Sequence, residues 1–246
     1  IVNLIARSKA ETQAERIADA ARQIEGAFSL VITTNDSLVG VRDPQGFRPL
    51  CLGKTENGYV LSSESCAFDA IKAEFIRHID PGEMVIIDDS GVRSTIYAEP
   101  EKIDKKLCVF EYIYFARGDS HIDGQSVYQS RLNMGRELYN ETKYDADIVM
   151  SIPDSGTTAA LGYARASGIP FAEGLVKNRY SGRTFIKPNQ EERELAVRMK
   201  LNALPHVVGG KRIVLIDDSI VRGTTSGIIV KMLKEAGAKE IYMCIS

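Results

Sequence analysis

The chain has 246 residues, 31 of them Lys or Arg and 33 Asp or Glu, which gives a net charge of −2. This balance excludes a global positive field that would attract nucleic acid, and no apolar run is long enough to cross a membrane. A hydrophobic fraction of 44% is typical of a globular protein, and the length predicts two domains. We therefore expect a cytosolic protein that binds neither nucleic acid nor membranes.

The first hundred residues predict one helix followed by antiparallel strands. Apolar residues recur at helical spacing from 10 to 24, and a β-rich run follows at 28–33. Further strands are predicted between turn sequences such as Asp-Pro-Gln-Gly, at 37–41, 50–52, 59–62 and 84–87. The charged stretch at 99–106 is the best linker candidate, so we place a first domain at 1–105.

The remaining residues, 106–246, predict helices that alternate with buried strands. Helices are predicted at 128–142, 157–167 and 225–236, and buried strands at 148–152, 212–216 and 240–245. Alternation of this length indicates βαβ units and therefore an α/β domain with a parallel sheet. Ligands of such sheets bind beyond the carboxyl ends of the strands.

An acidic pair follows the second of these buried strands directly. Asp217 and Asp218 repel each other, so a cation or a set of hydroxyl donors must offset the repulsion. A magnesium-bound sugar diphosphate supplies both. The alternative is that the two acids merely end a strand.

A phosphate pocket is predicted immediately after the acidic pair. Gly223 permits a tight turn, and the hydroxyls of Thr224, Thr225 and Ser226 lie where the next helix begins. Loop amides, hydroxyls and a helix N-terminus together form an anion cradle. The alternative, that these hydroxyls only cap the helix, does not require so constrained a string as residues 214–226.

Two other segments are candidates for contact with a diphosphate. The first strand end reads Pro153-Asp154-Ser155-Gly156, where Ser155 opens an amide-rich helix terminus or, alternatively, only caps that helix. The second, at 177–183, carries Lys177, Arg179 and Arg183 among turn residues. It suits a loop that closes over the substrate and excludes water, although basic loops are commonly just solvated surface.

The string VLIDDSIVRGTTS at 214–226 resembles the signature of the type I phosphoribosyltransferases, which bind phosphoribosyl pyrophosphate. Other segments resemble the glutamine phosphoribosylpyrophosphate amidotransferases, namely FEYIYFARGDSHIDGQSVYQSRLNMG at 110–135, KNRYSGRTFI at 177–186 and VRMKLNAL at 197–204. Three upstream segments resemble the later part of the glutaminase domain of that family, namely GAFSLVI at 26–32, RDPQGFRPLCLG at 42–53 and SSESCAFD at 62–69. The similarity spans nearly the whole chain.

The resemblance implies a fold and a reaction. The fold is the C-terminal part of an N-terminal-nucleophile (αββα) glutaminase domain, followed by a type I phosphoribosyltransferase domain with a parallel sheet. The reaction transfers ammonia from glutamine to phosphoribosyl pyrophosphate and gives 5-phosphoribosylamine, glutamate and pyrophosphate, as the first committed step of de novo purine synthesis. Purine nucleotides are implied as feedback inhibitors, and a homotetramer as the assembly.

The resemblance also implies roles for individual residues. Magnesium is expected at Ser155, Asp217 and Asp218. The implied substrate-binding residues are Asp217, Asp218, Ser219, Val221, Arg222, Gly223, Thr224, Thr225 and Ser226. The implied catalytic residues are Lys177, Arg179, Tyr180 and Arg183.

The chain departs from the family at its first residue. The family nucleophile is an N-terminal cysteine, whereas residue 1 here is Ile, and none of Cys51, Cys66, Cys108 and Cys244 stands at a matching position. The first glutamine-binding segments are also missing. We therefore expect a fragment, cut at both ends, of a longer enzyme, with the glutaminase nucleophile absent from this chain.

Cys108 raises the question of a metal cluster. It stands where cluster-bearing members of the family place the first ligand of a [4Fe-4S] centre, and the other ligands would follow Ser246. Because one cysteine cannot hold a cluster, Cys108 is either a ligand completed from elsewhere or a plain core residue, and both interpretations remain open.

Two other functions compete with the amidotransferase. A non-catalytic regulator that senses phosphoribosyl pyrophosphate would usually carry a basic DNA-binding module and would not need the loop at 177–185. A salvage enzyme that uses a free base would not need a glutaminase-like segment at 1–98. Both features favour the amidotransferase.

Overall fold

Two compact units divide the chain, Ile1–Val127 and Tyr128–Ser246. The computed structural model describes residues 1–178, 180, 190–221 and 223–246, with the backbone alone at 190–194. The predicted boundary after residue 105 falls inside the first unit, and the domain assignment itself stays a prediction. Within these ranges, no helix combines the length and the apolar character that a membrane crossing requires.

Antiparallel strands dominate the first unit, as predicted. Its α-helices are α1 (Val2–Arg7), α2 (Gln13–Gln23) and α3 (Cys66–Ile71), and it also has a 3-10 turn at Pro100–Lys102 and a π-helical turn at Glu111–Phe115. Its strands are β1 (Ser29–Thr33), β2 (Ser37–Arg42), β3 (Cys51–Thr55), β4 (Gly58–Ser62), β5 (Glu74–His78), β6 (Glu83–Asp88), β7 (Gly91–Ile96), β8 (His121–Ile122) and β9 (Gln125–Ser126). The strand orders are β1-β2-β6-β7, β4-β3-β5 and β8-β9, with every pairing antiparallel.

A capping box sets the start of α2. The Thr12 hydroxyl accepts a hydrogen bond from the Glu15 backbone N–H at 3.2 Å, and the Glu15 carboxylate accepts one from the Thr12 N–H at 3.1 Å. The helix predicted from residue 10 therefore begins at Gln13. Its buried face, which includes Ile17, packs in one core cluster with residues of the four-stranded sheet such as Val39.

A buried arginine organises the polar core of the first unit. The Arg42 guanidinium donates hydrogen bonds to the carbonyls of Ile79 at 2.6 Å, Gly46 at 2.8 Å and Arg48 at 2.9 Å. It also pairs with the Asp123 carboxylate at 3.3 Å. Because every partner is an oxygen, the fully buried charge is both neutralised and hydrogen-bonded, as burial requires.

Helices and parallel strands alternate in the second unit, as predicted. Its α-helices are α4 (Val127–Thr142), which begins at the last residue of the first unit, α5 (Thr157–Ser167), α6 (Gln190–Lys200), α7 (Pro205–Val208) and α8 (Thr224–Glu235). Its strands are β10 (Ile148–Ser151), β11 (Leu175–Lys177), β12 (Leu201–Ala203), β13 (Arg212–Asp217) and β14 (Glu240–Ile245). Strands β10, β13 and β14 form a parallel sheet in the order β10-β13-β14, and β11 and β12 form an antiparallel ribbon that the sequence did not predict.

The apolar run of β13 is covered on both faces. Ile213 and Leu215 belong to a core cluster with residues of α8 such as Leu233, whereas Val214 and Ile216 belong to a second cluster with residues of α5. All four β13 side chains are fully buried. Each such burial stabilises the fold by about 1.5–3 kcal/mol, so β13 is fixed firmly and its last residue is a rigid support.

Helices α4 and α5 touch through their backbones at two glycines. A Cβ on Gly135 of α4 would lie 1.9 Å from the carbonyl oxygen of Ala159, and one on Gly162 of α5 would lie 2.1 Å from that of Leu132. Atoms do not approach so closely without a bond, and therefore neither position has room for a side chain. The crossing fixes α5, and with it the loop that precedes this helix.

Candidate active site

The register of the parallel sheet brings two loops to one edge. Ser151, the last residue of β10, pairs with Ile216 of β13, and the Ile152 N–H donates to the Ile216 carbonyl at 2.9 Å. The chain leaves both strands at their carboxyl ends, where ligands of parallel sheets bind. The segments that follow, 152–156 and 217–223, therefore start side by side.

Gly156 brings these two segments into backbone contact. A Cβ on this residue would lie 2.5 Å from the Ile216 carbonyl oxygen and 3.1 Å from the Cα of Asp217. Gly156 also occupies the N-cap position of α5, and no side chain caps this helix by a hydrogen bond. Ser155, which is half-buried, is therefore not a simple helix cap, and it lies one residue from the contact with the acidic pair.

The acidic pair occupies the end of β13. Asp217 is half-buried, and its Oδ1 accepts a hydrogen bond from the Asp218 N–H at 2.9 Å. Asp218 is 8% exposed, and its Oδ1 accepts a hydrogen bond from the Ser219 hydroxyl at 2.5 Å. Burial raises the pKa of Asp217 to about 6 against the backbone hydrogen bond, with a smaller contribution from the Asp218 charge.

Magnesium fits this pair of carboxylates. Among the described residues, no basic side chain forms an ion pair with Asp217 or Asp218, and burial raises the pKa of Asp217. The described residues contain no group of three or more His, Cys, Asp or Glu side chains that could hold a metal ion. Magnesium commonly binds one or two carboxylates and completes its shell with water and substrate phosphates, so the pair suffices.

The segment after the acidic pair leads into the N-terminus of α8. Gly223 is the N-cap and has a φ of +70°, a conformation that favours glycine, whereas a Cβ there would meet no atom within 4 Å. Since the N-cap is glycine, the hydroxyls of Thr224, Thr225 and Ser226 do not serve as the cap. The first-turn amides of α8 have no acceptor within the helix, and together with these hydroxyls they suit an anion. Val221 is 88% exposed, and Arg222 lies outside the described residues.

An open cleft of about 590 Å³ lies beside the loop at 153–156. Its lining residues are Ser151, Pro153, Asp154, Thr157, Phe171, Glu173, Leu175, Val176, Lys177 and Asn178. The Lys177 ammonium pairs with the Asp154 carboxylate, which brings β11 to this loop. The acidic pair does not line this cleft, so the predicted site has two neighbouring parts.

The predicted catalytic segment is described only in part. Lys177 lies at the cleft, and Tyr180 is 99% exposed, with its N–H bonded to the Asn178 side-chain oxygen at 3.0 Å. Arg179 and Arg183 lie outside the described residues. Roles for these side chains therefore remain predictions.

A cysteine and a histidine of the first unit resemble a nucleophile and its base. The Cys51 Sγ lies 3.3 Å from His78 Nδ1, a pair that the sequence did not predict because the two residues are 27 positions apart. Cys51 is fully buried, and this burial raises the pKa of its thiol to about 12. A catalytic thiol needs a lowered pKa and access to substrate, so this pair is structural.

The cysteines present do not form the ligand set of an iron-sulfur cluster. Cys108 is half-buried, and its N–H donates to the Phe47 carbonyl at 3.0 Å. Cys51, Cys66 and Cys244 are buried in β3, α3 and β14, respectively. Four thiolates around one centre are needed, so no chemistry is assigned to a cluster here.

Replacing Asp217 by Asn is expected to stabilise the metal-free protein at neutral pH. The carboxyl has its ordinary pKa of 3.8 in the unfolded chain and about 6 in the fold. Its contribution therefore favours folding below pH 4 and is lost as the pH rises through 6. With allowance for the partial exposure of Asp217, urea unfolding at pH 7.5 should show that the free energy of unfolding of Asp217→Asn is higher than that of the unchanged protein by about 1–2 kcal/mol.

The gain should shrink as the pH is lowered to 5, since Asp217 then becomes protonated in the folded protein. Asp145→Asn, at a carboxylate that is 87% exposed, serves as the control. A gain of equal size at pH 5 and pH 7.5, or a loss at pH 7.5, would contradict the assignment of an uncompensated charge to Asp217.

Sequence comparison relates the chain to known proteins. A family of glutamine amidotransferase domains matches residues 3–70. An amidophosphoribosyltransferase of Synechococcus elongatus is 56% identical over 234 residues, which are 94% of this chain and 47% of that protein. One of Archaeoglobus fulgidus is 53% identical over 220 residues, which are 89% of this chain and 48% of that protein.

Structure comparison gives the same relation. The glutamine phosphoribosylpyrophosphate amidotransferase of B. subtilis, solved in complex with ADP and GMP, matches with a TM-score of 0.92 at 48% identity. The match covers 98% of this chain and 53% of that one. The chain thus spans about half the length of the curated relatives that it matches.

Proposed function

The chain belongs to the amidophosphoribosyltransferase family, and on that premise we propose that it takes part in the transfer of ammonia from glutamine to phosphoribosyl pyrophosphate. The products are 5-phosphoribosylamine, glutamate and pyrophosphate, in the first committed step of purine synthesis. The observation that carries the proposal is the contact between the loop at 152–156 and the acidic pair at one sheet edge. It joins a candidate pyrophosphate loop to carboxylates that need a cation.

The reaction requires charge stabilisation more than covalent catalysis. The bond between the anomeric carbon and the pyrophosphate oxygen breaks, ammonia nitrogen bonds to that carbon, and a proton leaves the nitrogen. Positive charge develops on the ribose and negative charge on the pyrophosphate. Lys177 would stabilise the departing anion, and its place in the lining of the cleft beside the loop at 153–156 supports this role.

The other groups hold the ribose phosphate. The N-terminus of α8, with the hydroxyls of residues 224–226, suits the 5′-phosphate. Asp217 and Asp218 suit hydrogen bonds from the ribose hydroxyls. Ser155, Asp217 and Asp218 would hold Mg²⁺, which when bound neutralises charge on the diphosphate. Holding both reactants in place and excluding water are the main tasks of the protein.

We also propose the partners that the family relation supports. Ammonia is supplied by glutamine hydrolysis in the glutaminase domain, to which the match at residues 3–70 corresponds. Purine nucleotides act as feedback inhibitors and the enzyme is a homotetramer. The ADP and GMP bound to the B. subtilis relative support the first of these proposals. Four free cysteines agree with a reducing cytosolic setting.

Calorimetry with phosphoribosyl pyrophosphate tests this function directly. Binding is expected to be at least about tenfold tighter with Mg²⁺ than with a chelator, since the metal offsets repulsion between the diphosphate and the acidic pair. Equal affinity in both conditions would count against the metal role. Absence of binding in both would overturn the proposed function.

Turnover separates the enzyme from the regulator. With saturating ammonia and Mg²⁺, the enzyme releases pyrophosphate and forms 5-phosphoribosylamine. A non-catalytic sensor of phosphoribosyl pyrophosphate would bind the same ligand without releasing pyrophosphate. The assay does not require glutamine hydrolysis, so it tests the transferase reaction separately from the glutaminase reaction.

A further inference from the structure

The ammonium of Lys177 is paired with a carboxylate of the neighbouring loop. Asp154, which lies between β10 and α5, provides this partner. The Lys177 and Asp154 side chains are 50% and 76% exposed, and both residues line the open cleft. A diphosphate that contacts Lys177 must therefore share this cation with Asp154 or replace the carboxylate.

The backbone of Asp154 belongs to a turn that leads into a helix N-terminus. Its carbonyl accepts a hydrogen bond from the Thr157 N–H at 3.3 Å, so the residue belongs to the turn that starts α5. The N-terminus of an eleven-residue helix favours negative charge. A pyrophosphate bound beside this helix terminus would therefore compete with the Asp154 carboxylate for the Lys177 ammonium.

We propose that Asp154 is the exchangeable counter-ion of Lys177. It holds the ammonium at the cleft, is displaced by pyrophosphate, and by this competition weakens pyrophosphate binding and speeds its release. The inference rests on the proposed function, because it takes pyrophosphate as the leaving group. Asp154 is a positioning residue that acts through Lys177.

Pyrophosphate binding in Asp154 variants tests the exchange. Calorimetry with magnesium pyrophosphate compares the unchanged protein with Asp154→Asn and Asp154→Glu, and steady-state kinetics are measured with ammonia. The Asn variant should bind pyrophosphate about fivefold more tightly. This factor corresponds to removing the repulsion between the Asp154 carboxylate and one negative charge of pyrophosphate at about 4 Å in water. Its KM for phosphoribosyl pyrophosphate should fall because the diphosphate binds more tightly. Its kcat should fall because pyrophosphate is released more slowly. The Glu variant should restore all three values.

Glu173→Gln is the matched control, because Glu173 is an exposed carboxylate that lines the same cleft. Tightening of equal size in this control would indicate a general field in the cleft and would overturn the assignment to Asp154. Unchanged or weaker pyrophosphate binding by Asp154→Asn would overturn it as well. If phosphoribosyl pyrophosphate still binds with Mg²⁺ in these cases, only the counter-ion role fails. Loss of that binding in the unchanged protein would refute the proposed function itself.

Discussion

Ammonia-dependent turnover should fall by about 10³-fold or more when Asp217→Asn and Asp218→Asn are combined. The two substitutions remove both negative charges at the end of β13, and with them the site proposed for Mg²⁺ and the ribose hydroxyls. Asn retains an oxygen that accepts the hydrogen bonds of the Asp218 N–H and the Ser219 hydroxyl. The fold should therefore be preserved, as circular dichroism and urea unfolding would verify.

The matched control is Asp145→Asn with Asp147→Asn. These two acids precede β10 and pair with Arg212 at the start of β13. Their substitution therefore changes the net charge by the same amount, but at the opposite edge of the sheet. The control should keep most of its turnover. Turnover of the Asp217 and Asp218 variant within a few-fold of the unchanged protein would refute the assignment of the acidic pair.

Gly162→Ala should lower the free energy of unfolding by about 3 kcal/mol. The added methyl would lie 2.1 Å from the Leu132 carbonyl oxygen, so α4 and α5 would have to move apart. This crossing fixes the loop before α5, and the variant should therefore also bind phosphoribosyl pyrophosphate more weakly. Urea unfolding measures the first effect and calorimetry the second.

Gly227→Ala in α8 provides the comparison. A Cβ there would meet no atom within 4 Å, so the substitution should be neutral or should stabilise α8 by up to about 1 kcal/mol. An equal loss in the free energy of unfolding of both variants would indicate that replacing a helical glycine by alanine is destabilising in general. A Gly162→Ala protein as stable as the original would show that α4 and α5 can separate freely.

The core elements were predictable from the sequence because burial leaves a pattern. The strand at 212–216 has consecutive apolar residues, and both of its faces are covered in the structure. The helix predicted at 157–167 has the same bounds as α5. By contrast, β5 and β7 were missed, because most of their side chains are exposed and show no hydrophobic alternation.

The candidate site was predictable only where its residues are adjacent in sequence. Asp217, Asp218 and the segment up to Ser226 form one continuous string, so their chemistry could be inferred directly. The pairing of Lys177 with Asp154 spans 23 positions, and no local spacing indicates it. The close contact of α4 with α5 at Gly135 was also not predictable, since a glycine inside a helix does not indicate which element packs against it.

The length of β13 is as much a part of the site as its composition. Deleting one residue between 213 and 216 would move the acidic pair by about 3.3 Å along the sheet and turn each following side chain to the opposite face. The carboxylates would then leave the position beside Gly156 that the register now gives them. Related sequences should therefore tolerate the substitution of one apolar residue by another in β13 far more readily than insertions or deletions.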